Sequence, residues 1–515
     1  MPFEPYRNEP FADFSDPATL ASFRRALADV GEQLGRDYPL TIGGEAVMTG
    51  SFLESYDPSR KDRLVGRAAK AGPREIERAM DAAWNAYADW SRWGMAERPR
   101  LLVKLAAIMR RRREELAAWL VFEASKNYLE AIADVAEAID FCEYYARTAL
   151  PLAEPLPTYD QPGEENTTTF QPMGVGLVIP PWNFLLAILV GTAVGPVVVG
   201  NPVIINPSPA TPIIAAKFME LVAEAGFPAG VINLLTGDDA VLGDALVDHP
   251  RTRFINFTGS VATGVRIFER AAKVQPGQHW LKRTFLEMGG KDALIVDASA
   301  DIELAATAAV ASAFGFQGQK CSAMSRLIVV DAVYDAVLGR VKALTEALSV
   351  GPADENHDVG AVINERQYQK ILGYIETGKS EARLLTGGGA AAGDGWFIQP
   401  TVFADVPVGA SIACDEIFGP VVSVMRARDF DHALEIANGS SYALTGGVIS
   451  KDRRNLEKAR REFQAGNLYL NRKITGALVG VQPFGGFKMS GSNTKAGGPD
   501  YLRNFMEMKT VTERF

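Results

Sequence analysis

Short apolar runs and Ala-rich helical stretches alternate through most of this chain. The runs at 175–179, 203–205, 231–234, 254–257, 293–296 and 327–330 each read as a strand buried on both faces. Helical patterns at 213–225 and 302–314 fall between them. Strands separated by helices predict parallel sheets covered by helices, an α/β fold class. The alternation continues past Glu287 far enough to supply a second α/β domain. Upstream, residues 96–126 carry one long helical pattern and 134–147 another. The basic run 110–113 is followed at once by Glu114 and Glu115, which marks a solvated helix face. Residues 151–170, rich in Pro, Glu and Thr, read as an extended excursion, and the chain closes on an alternating tail, FMEMKTVTERF.

Composition narrows the function classes. The 515 residues are 47% hydrophobic and 22% charged, with a net charge of −9. An acidic chain is not expected to bind nucleic acid. Three cysteines and four histidines are too few for a disulfide framework or a zinc cluster, so no metal is expected and a reducing, cytoplasmic setting is. The opening MPFEPYRNEPFADF places acids and prolines where an export signal needs a basic start and an apolar run. Residues 171–216 hold no charge, but Pro180, Pro181, Pro196 and Pro202 interrupt them. The longest proline-free piece of the apolar part, 182–195, is shorter than the about 20 residues a membrane span needs. A buried strand, loop and helix is the expectation.

The dinucleotide fingerprint G-x-G-x-x-G is missing: Gly174 and Gly176 have the first spacing, but Ile179 stands where the third glycine belongs. Gly387, Gly389 and Ala392 match its letters inside a turn. Phe257-Thr258-Gly259-Ser260 closes one apolar run and opens a helical one, so Ser260 reads either as a plain N-cap or as a phosphate-facing group. Cys321, between Lys320 and Ser322 and near Gly315 and Gly318, has the surroundings of an activated nucleophile. Cys142 and Cys414 read as structural thiols, and no histidine sits where a Cys–His pair needs it. The base on offer is Glu287 in FLEMGGK, 34 positions before Cys321; the plainer reading pairs it with Lys291. Asn183, in PPWNF, is a lone amide among apolar neighbours and must be hydrogen-bonded or held for a ligand.

Taken in order, PWNF (181–184), FTGS (257–260), LEMGGK (286–291), GQKCSA (318–323), EIFGP (416–420), GNLYLNR (466–472) and PFGGFKMSG (483–491) resemble the NAD(P)-dependent aldehyde dehydrogenase superfamily. FQGQKCSA, the stretch from Asn471 to Lys488 and the YRNEPF opening look most like its branch that oxidises L-glutamate γ-semialdehyde, the open form of 1-pyrroline-5-carboxylate. The resemblance implies an aldehyde dehydrogenase fold with a modified Rossmann cofactor domain (1–150 and 171–286), a catalytic α/β domain (287–482) and a small β oligomerisation element (151–170 and 483–515). It implies Cys321 as nucleophile, Asn183 with the Cys321 backbone N–H as oxyanion donors, and Glu287 as the base that hydrolyses a thioester. Ile179, Pro181, Trp182, Asn206, Ser208, Gly243, Phe257, Ser260, Met288, Gly289, Glu416 and Phe418 would contact NAD, with NADP an alternative. Ser322, Gly476 and Ala477 would hold the substrate carboxylate, Glu137 its ammonium, and Phe184 and Phe484 its aliphatic stem. A homodimer or higher even assembly follows from the same likeness.

Several positions depart from the pattern. Asn206 stands where most relatives have a ribose-binding Lys, and Pro209 where a Glu is frequent. Leu185 replaces the proline after PWNF, Pro180 precedes it, Asp292 replaces the Asn of GGKN, and Ser125 the Gly of EVGK. The rival readings are an aldehyde dehydrogenase for another substrate, a CoA-acylating member, which Glu287 speaks against, and a non-catalytic relative with impaired cofactor binding.

Overall fold

A computed structural model describes residues 3–515, so the first two residues of the acidic opening lie outside the described residues. Two seven-stranded sheets organise the chain. The first runs, in spatial order, Arg283–Glu287, Phe254–Thr258, Gly176–Ile179, Val203–Ile205, Ile232–Leu234, Leu40–Ile42 and Glu45–Val47. Its first five strands are parallel and the last two antiparallel. The chain winds away from Gly176–Ile179 in both directions, which makes the crevice beyond that strand and Phe254–Thr258 a topological switch point, where α/β sheets bind ligands.

The second sheet runs Arg383–Thr386, Thr401–Ala404, Val421–Ala427, Met324–Val330, Asp292–Val296, Thr445–Ile449 and Asn467–Leu470. All its pairings are parallel except the first. Four residues, 288–291, join the edge strand of the first sheet to a central strand of the second. Such a short link sets the carboxyl end of Arg283–Glu287 against the amino end of Asp292–Val296. Reactive groups from both sheets are therefore forced into one seam.

The expected helix over 96–126 is two helices, Arg98–Arg111 and Arg113–Ala124, broken at Arg112 (φ −101°, ψ 19°). The Arg112 guanidinium is held there by Glu115 and Glu220, so ion pairing outside the helix wins over helix continuity. The next helix, Tyr128–Ala149, is longer than its pattern at both ends and starts on an Asn127 side-chain cap. These helices, with Ala187–Val198 and Pro212–Ala225, bury the largest apolar cluster against the first sheet. Within residues 151–170 the excursion becomes the strand Glu164–Pro172, which pairs antiparallel along its whole length with Met506–Arg514. Residues just before that tail do something else: Tyr501, Leu502 and Phe505 are packed into the main core. A three-stranded sheet of Arg36–Tyr38, Leu64–Ala69 and Phe52–Tyr56 completes the fold. No helix among the described residues is long and apolar enough to cross a membrane.

Candidate active site

Cys321 stands three residues before the strand that begins at Met324, on a loop whose Phe316 and Gln317 take positive φ. That costly backbone is held by hydrogen bonds. Gln317 Nε2 donates to the carbonyls of Ser125 (2.8 Å) and Ala361 (2.9 Å), and the Ile363 N–H donates to Gln319 Oε1 (2.9 Å). Ser125, itself at φ 56°, answers with its hydroxyl to Ser59 (2.7 Å) and the Ala361 N–H (2.8 Å). The serine that replaces glycine thus adds two contacts that glycine lacks.

Asn183 lies in the loop between Gly176–Ile179 and Ala187–Val198, 3% exposed. Its amide donates to the Gln319 carbonyl at 2.9 Å, which ties the loop of the first sheet to the nucleophile loop of the second. Beside it, the fully buried Lys126 ammonium lies 4.4 Å from the Phe184 ring centre and 4.2 Å from that of Phe316. Asp134 Oδ2 is 2.9 Å from the same ammonium, and Asp134 Oδ1 accepts the Ala187 N–H. One cation therefore clamps the oxyanion loop to the nucleophile loop.

Glu287 ends the edge strand of the first sheet. Its carboxylate accepts from the Thr494 hydroxyl (2.9 Å), the Thr494 N–H (3.2 Å) and the Gly486 N–H (3.3 Å). Burial pushes its pKa up to about 7 against these hydrogen bonds. The plainer pairing with Lys291 is not formed: the buried Lys291 ammonium has no hydrogen-bond partner among the described residues. Burial, then the carboxyls of Asp292, Glu416, Glu287 and Glu137, raise the Cys321 thiol above its ordinary range. Cys142 is buried and Cys414 exposed, both free thiols.

The expected cofactor residues gather in smaller groups. Asn206 is buried; its amide donates to the Leu235 carbonyl (3.1 Å), while Oδ1 faces Gly243 and has no partner among the described residues. Ser208 turns its hydroxyl back to the Ala210 N–H (3.4 Å). Ser260 caps the helix Val261–Ala272 through the Thr263 N–H, directly after Phe257, so a helix N-terminus opens at the switch point. Glu416 Oε1 accepts the Gly290 N–H (3.1 Å), and a Cβ on Gly289 would collide with that oxygen. Phe418, at φ 61°, stacks edge-on against Trp182, 5.4 Å between ring centres, with Ile179 and Pro181 half-buried alongside in sequence. Met288 donates its N–H to the Ser490 carbonyl. An unpartnered acceptor, a capped helix N-terminus and a glycine-lined approach fit a dinucleotide.

On the other side, Ser322 is buried beside the nucleophile, and its carbonyl accepts from the Thr445 hydroxyl (3.3 Å). The half-buried Glu137 lies one helical turn from Asp134; burial and the Asp134 charge push it up to about 8. Phe484 leads into the Gly485–Gly486 backbone that meets Glu287. Gly476 and Ala477 lie on a loop pinned by the Ile474 N–H to Ser312 (3.0 Å). No hydrogen bond links that loop to Ser322 among the described residues. Sequence reasoning missed Lys126, Asp134 and Thr494. The first two were visible as charges at positions the apolar pattern buries; Thr494 left no signal. Among the described residues, no group of three or more His, Cys, Asp or Glu is placed to hold a metal.

An amide bonded to the Cys321 loop and a raised carboxylate at the link between two α/β sheets are groups that a cysteine-dependent oxidation of an aldehyde would use. The aldehyde dehydrogenase family profile matches residues 47–511, and the chain belongs to that family. It is 58% identical over 513 residues to 1-pyrroline-5-carboxylate dehydrogenase of Geobacillus kaustophilus, covering 99% of this chain and 100% of that one. A crystal structure of 1-pyrroline-5-carboxylate dehydrogenase from Thermus with bound NAD superimposes with a TM-score of 0.99 at 55% identity, each chain fully covered. Proline utilization A from Bdellovibrio bacteriovorus shares 44% identity and a TM-score of 0.97, with all of this chain matching 54% of that one.

Proposed function

We propose that this protein oxidises L-glutamate γ-semialdehyde to L-glutamate with NAD, in the cytoplasm and as a step of proline breakdown. The observation that supports this reading is the Asn183 amide bonded at 2.9 Å to the Gln319 carbonyl, two residues before Cys321, in a chain 58% identical to a 1-pyrroline-5-carboxylate dehydrogenase. Cys321, as thiolate, attacks the aldehyde carbon and forms a thiohemiacetal. The oxyanion takes hydrogen bonds from the Asn183 amide and the Cys321 N–H, for which Asn183 exchanges its bond to Gln319. When bound, NAD supplies the acceptor for the hydride that leaves this carbon. Cys321 is then a thioester, and Glu287 removes a proton from the water that attacks it; the C–S bond breaks and glutamate leaves.

Glu137 meets the substrate ammonium, and Ser322 with the backbone of Gly476 and Ala477 meets the carboxylate. Phe184 and Phe484 flank the stem. Asn206 Oδ1 accepts from an adenosine ribose hydroxyl, and Ser260 with its helix N-terminus faces the pyrophosphate. Ile179, Pro181, Trp182, Ser208, Gly243, Phe257, Met288 and Gly289 line the groove, with Glu416 at the nicotinamide ribose and Phe418 at its edge. With Pro209 in place of a carboxylate, NADP meets less repulsion than in most relatives. The paired strands Glu164–Pro172 and Met506–Arg514 join copies of the chain into an even assembly. Side-by-side reduction of NAD and NADP with glutamate γ-semialdehyde and with a short aliphatic aldehyde tests the reading. The expected result is a preference for the semialdehyde of at least about a hundredfold in kcat/KM. Equal use of the two aldehydes refutes the substrate, and loss of neither activity in Cys321→Ala refutes the mechanism.

A further inference from the structure

Asp292 opens the strand Asp292–Val296 with its carboxyl 3% exposed. Oδ1 accepts the Thr445 N–H at 2.8 Å, and Oδ2 has no partner among the described residues. Arg326 faces it from Met324–Val330 but donates to the carbonyls of Lys291 (2.8 Å), Ile436 (3.0 Å) and Ala437 (3.0 Å). The other titratable groups that face it are Glu416, the Tyr469 hydroxyl, also without a partner, and Cys321. A Cβ placed on Gly290 would lie 2.6 Å from both Asp292 Oδ2 and the Cys321 carbonyl. The bare oxygen and the nucleophile's backbone thus flank a space smaller than one methyl group.

A buried carboxylate with no cation in hydrogen-bond reach is costly, whereas a neutral carboxyl there is tolerated and its O–H is a donor, as an asparagine amide would be. We propose that Asp292 is a positioning residue that serves the nucleophile only as a neutral acid, and that its ionisation opposes thiolate formation at Cys321. Burial and the unpartnered Oδ2 favour the neutral form against the pull of the Thr445 N–H, and the Thr445 that it binds also holds the Ser322 carbonyl, next to Cys321. An anion at Oδ2 repels a second anion at the sulfur, so the two deprotonations resist each other.

The test is the rate at which iodoacetamide alkylates Cys321, read by peptide mass spectrometry to separate it from Cys414, from about pH 6 to about pH 10. In the wild-type protein the curve is expected to spread over more than one titration. In Asp292→Asn it is expected to narrow, the breadth that remains coming from Glu287 and Glu137, with its midpoint at least about one pH unit lower. Asp292→Ala, which also loses the acceptor for Thr445, is expected to react more slowly than Asp292→Asn at every pH. Superimposed wild-type and Asn curves overturn the proposal, as does equal behaviour of Asn and Ala. Should neither variant fold, a single-proton curve in the wild-type protein overturns it by itself.

Discussion

At Glu287 burial outweighs three hydrogen bonds and pushes the pKa up to about 7, so the second half of the proposed reaction should depend on pH. Only the ionised form takes a proton from water. With a pKa of about 7, roughly one carboxylate in ten is ionised at pH 6, and each further unit removes another factor of about ten. Hydride release does not need this base. In single turnovers with enzyme in excess, quenched-flow release of the acid should therefore lag NADH formation, and the lag should lengthen about tenfold per unit below about pH 7. Glu287→Gln keeps the Thr494 and Gly486 contacts in outline but cannot accept the proton. It should give a burst of about one NADH per site followed by a steady rate reduced about 10²- to 10⁴-fold. A lag that is constant between about pH 5 and pH 7, or a Gln variant with no burst, would show that Glu287 acts before the thioester or not at all.

Glu287→Gln also bears on stability. The folded pKa of about 7 lies above the ordinary 4.5, so the group's cost to stability is absent below 4.5, builds as the pH rises from 4.5 to about 7, and is complete above that. The Gln variant should melt higher than wild type at pH 8, with the gap closing as the pH falls to 4. Lys126→Met strands Asp134 as an unpaired buried anion and should destabilise by about 3–5 kcal/mol, most of it recovered when Asp134→Asn is added; equal melting of single and double variants would refute the clamp. Asn206→Lys adds a charge-assisted donor worth about 1.5–3 kcal/mol, so titration calorimetry should show NAD bound about ten- to a hundredfold tighter, and NADP at least as much. Unchanged affinities would place the ribose elsewhere.

Six strands of the two large sheets, from Gly176–Ile179 to Met324–Val330, were legible because burial on both faces leaves an unbroken apolar run, whereas most strands of the second sheet were not read. The run at 203–205 matches its strand and 302–314 its helix. The sheet of Arg36–Tyr38, Leu64–Ala69 and Phe52–Tyr56 was not: its first strand is three residues long with two exposed, too short to show alternation. The break at Arg112 was hidden because every residue around it favours helix, and only the distant Glu220 reveals the competing partner. Cys321, Asn183 and Glu287 announced themselves as polar groups in apolar or glycine-rich strings. Thr494 could not, since a threonine in a polar loop looks like any other until the fold brings it to Glu287.

The four-residue link between the sheets has a dynamic consequence. Glu287 closes one sheet, Cys321 precedes a strand of the other, and the amide of Asn183 is one of the hydrogen bonds across the joint. A small rotation of one sheet on the other lengthens the path from base to thioester while leaving each group's own surroundings intact. In the proposed mechanism the bond from Asn183 to Gln319 opens before the amide can serve the oxyanion, so the joint and the chemistry share one hydrogen bond.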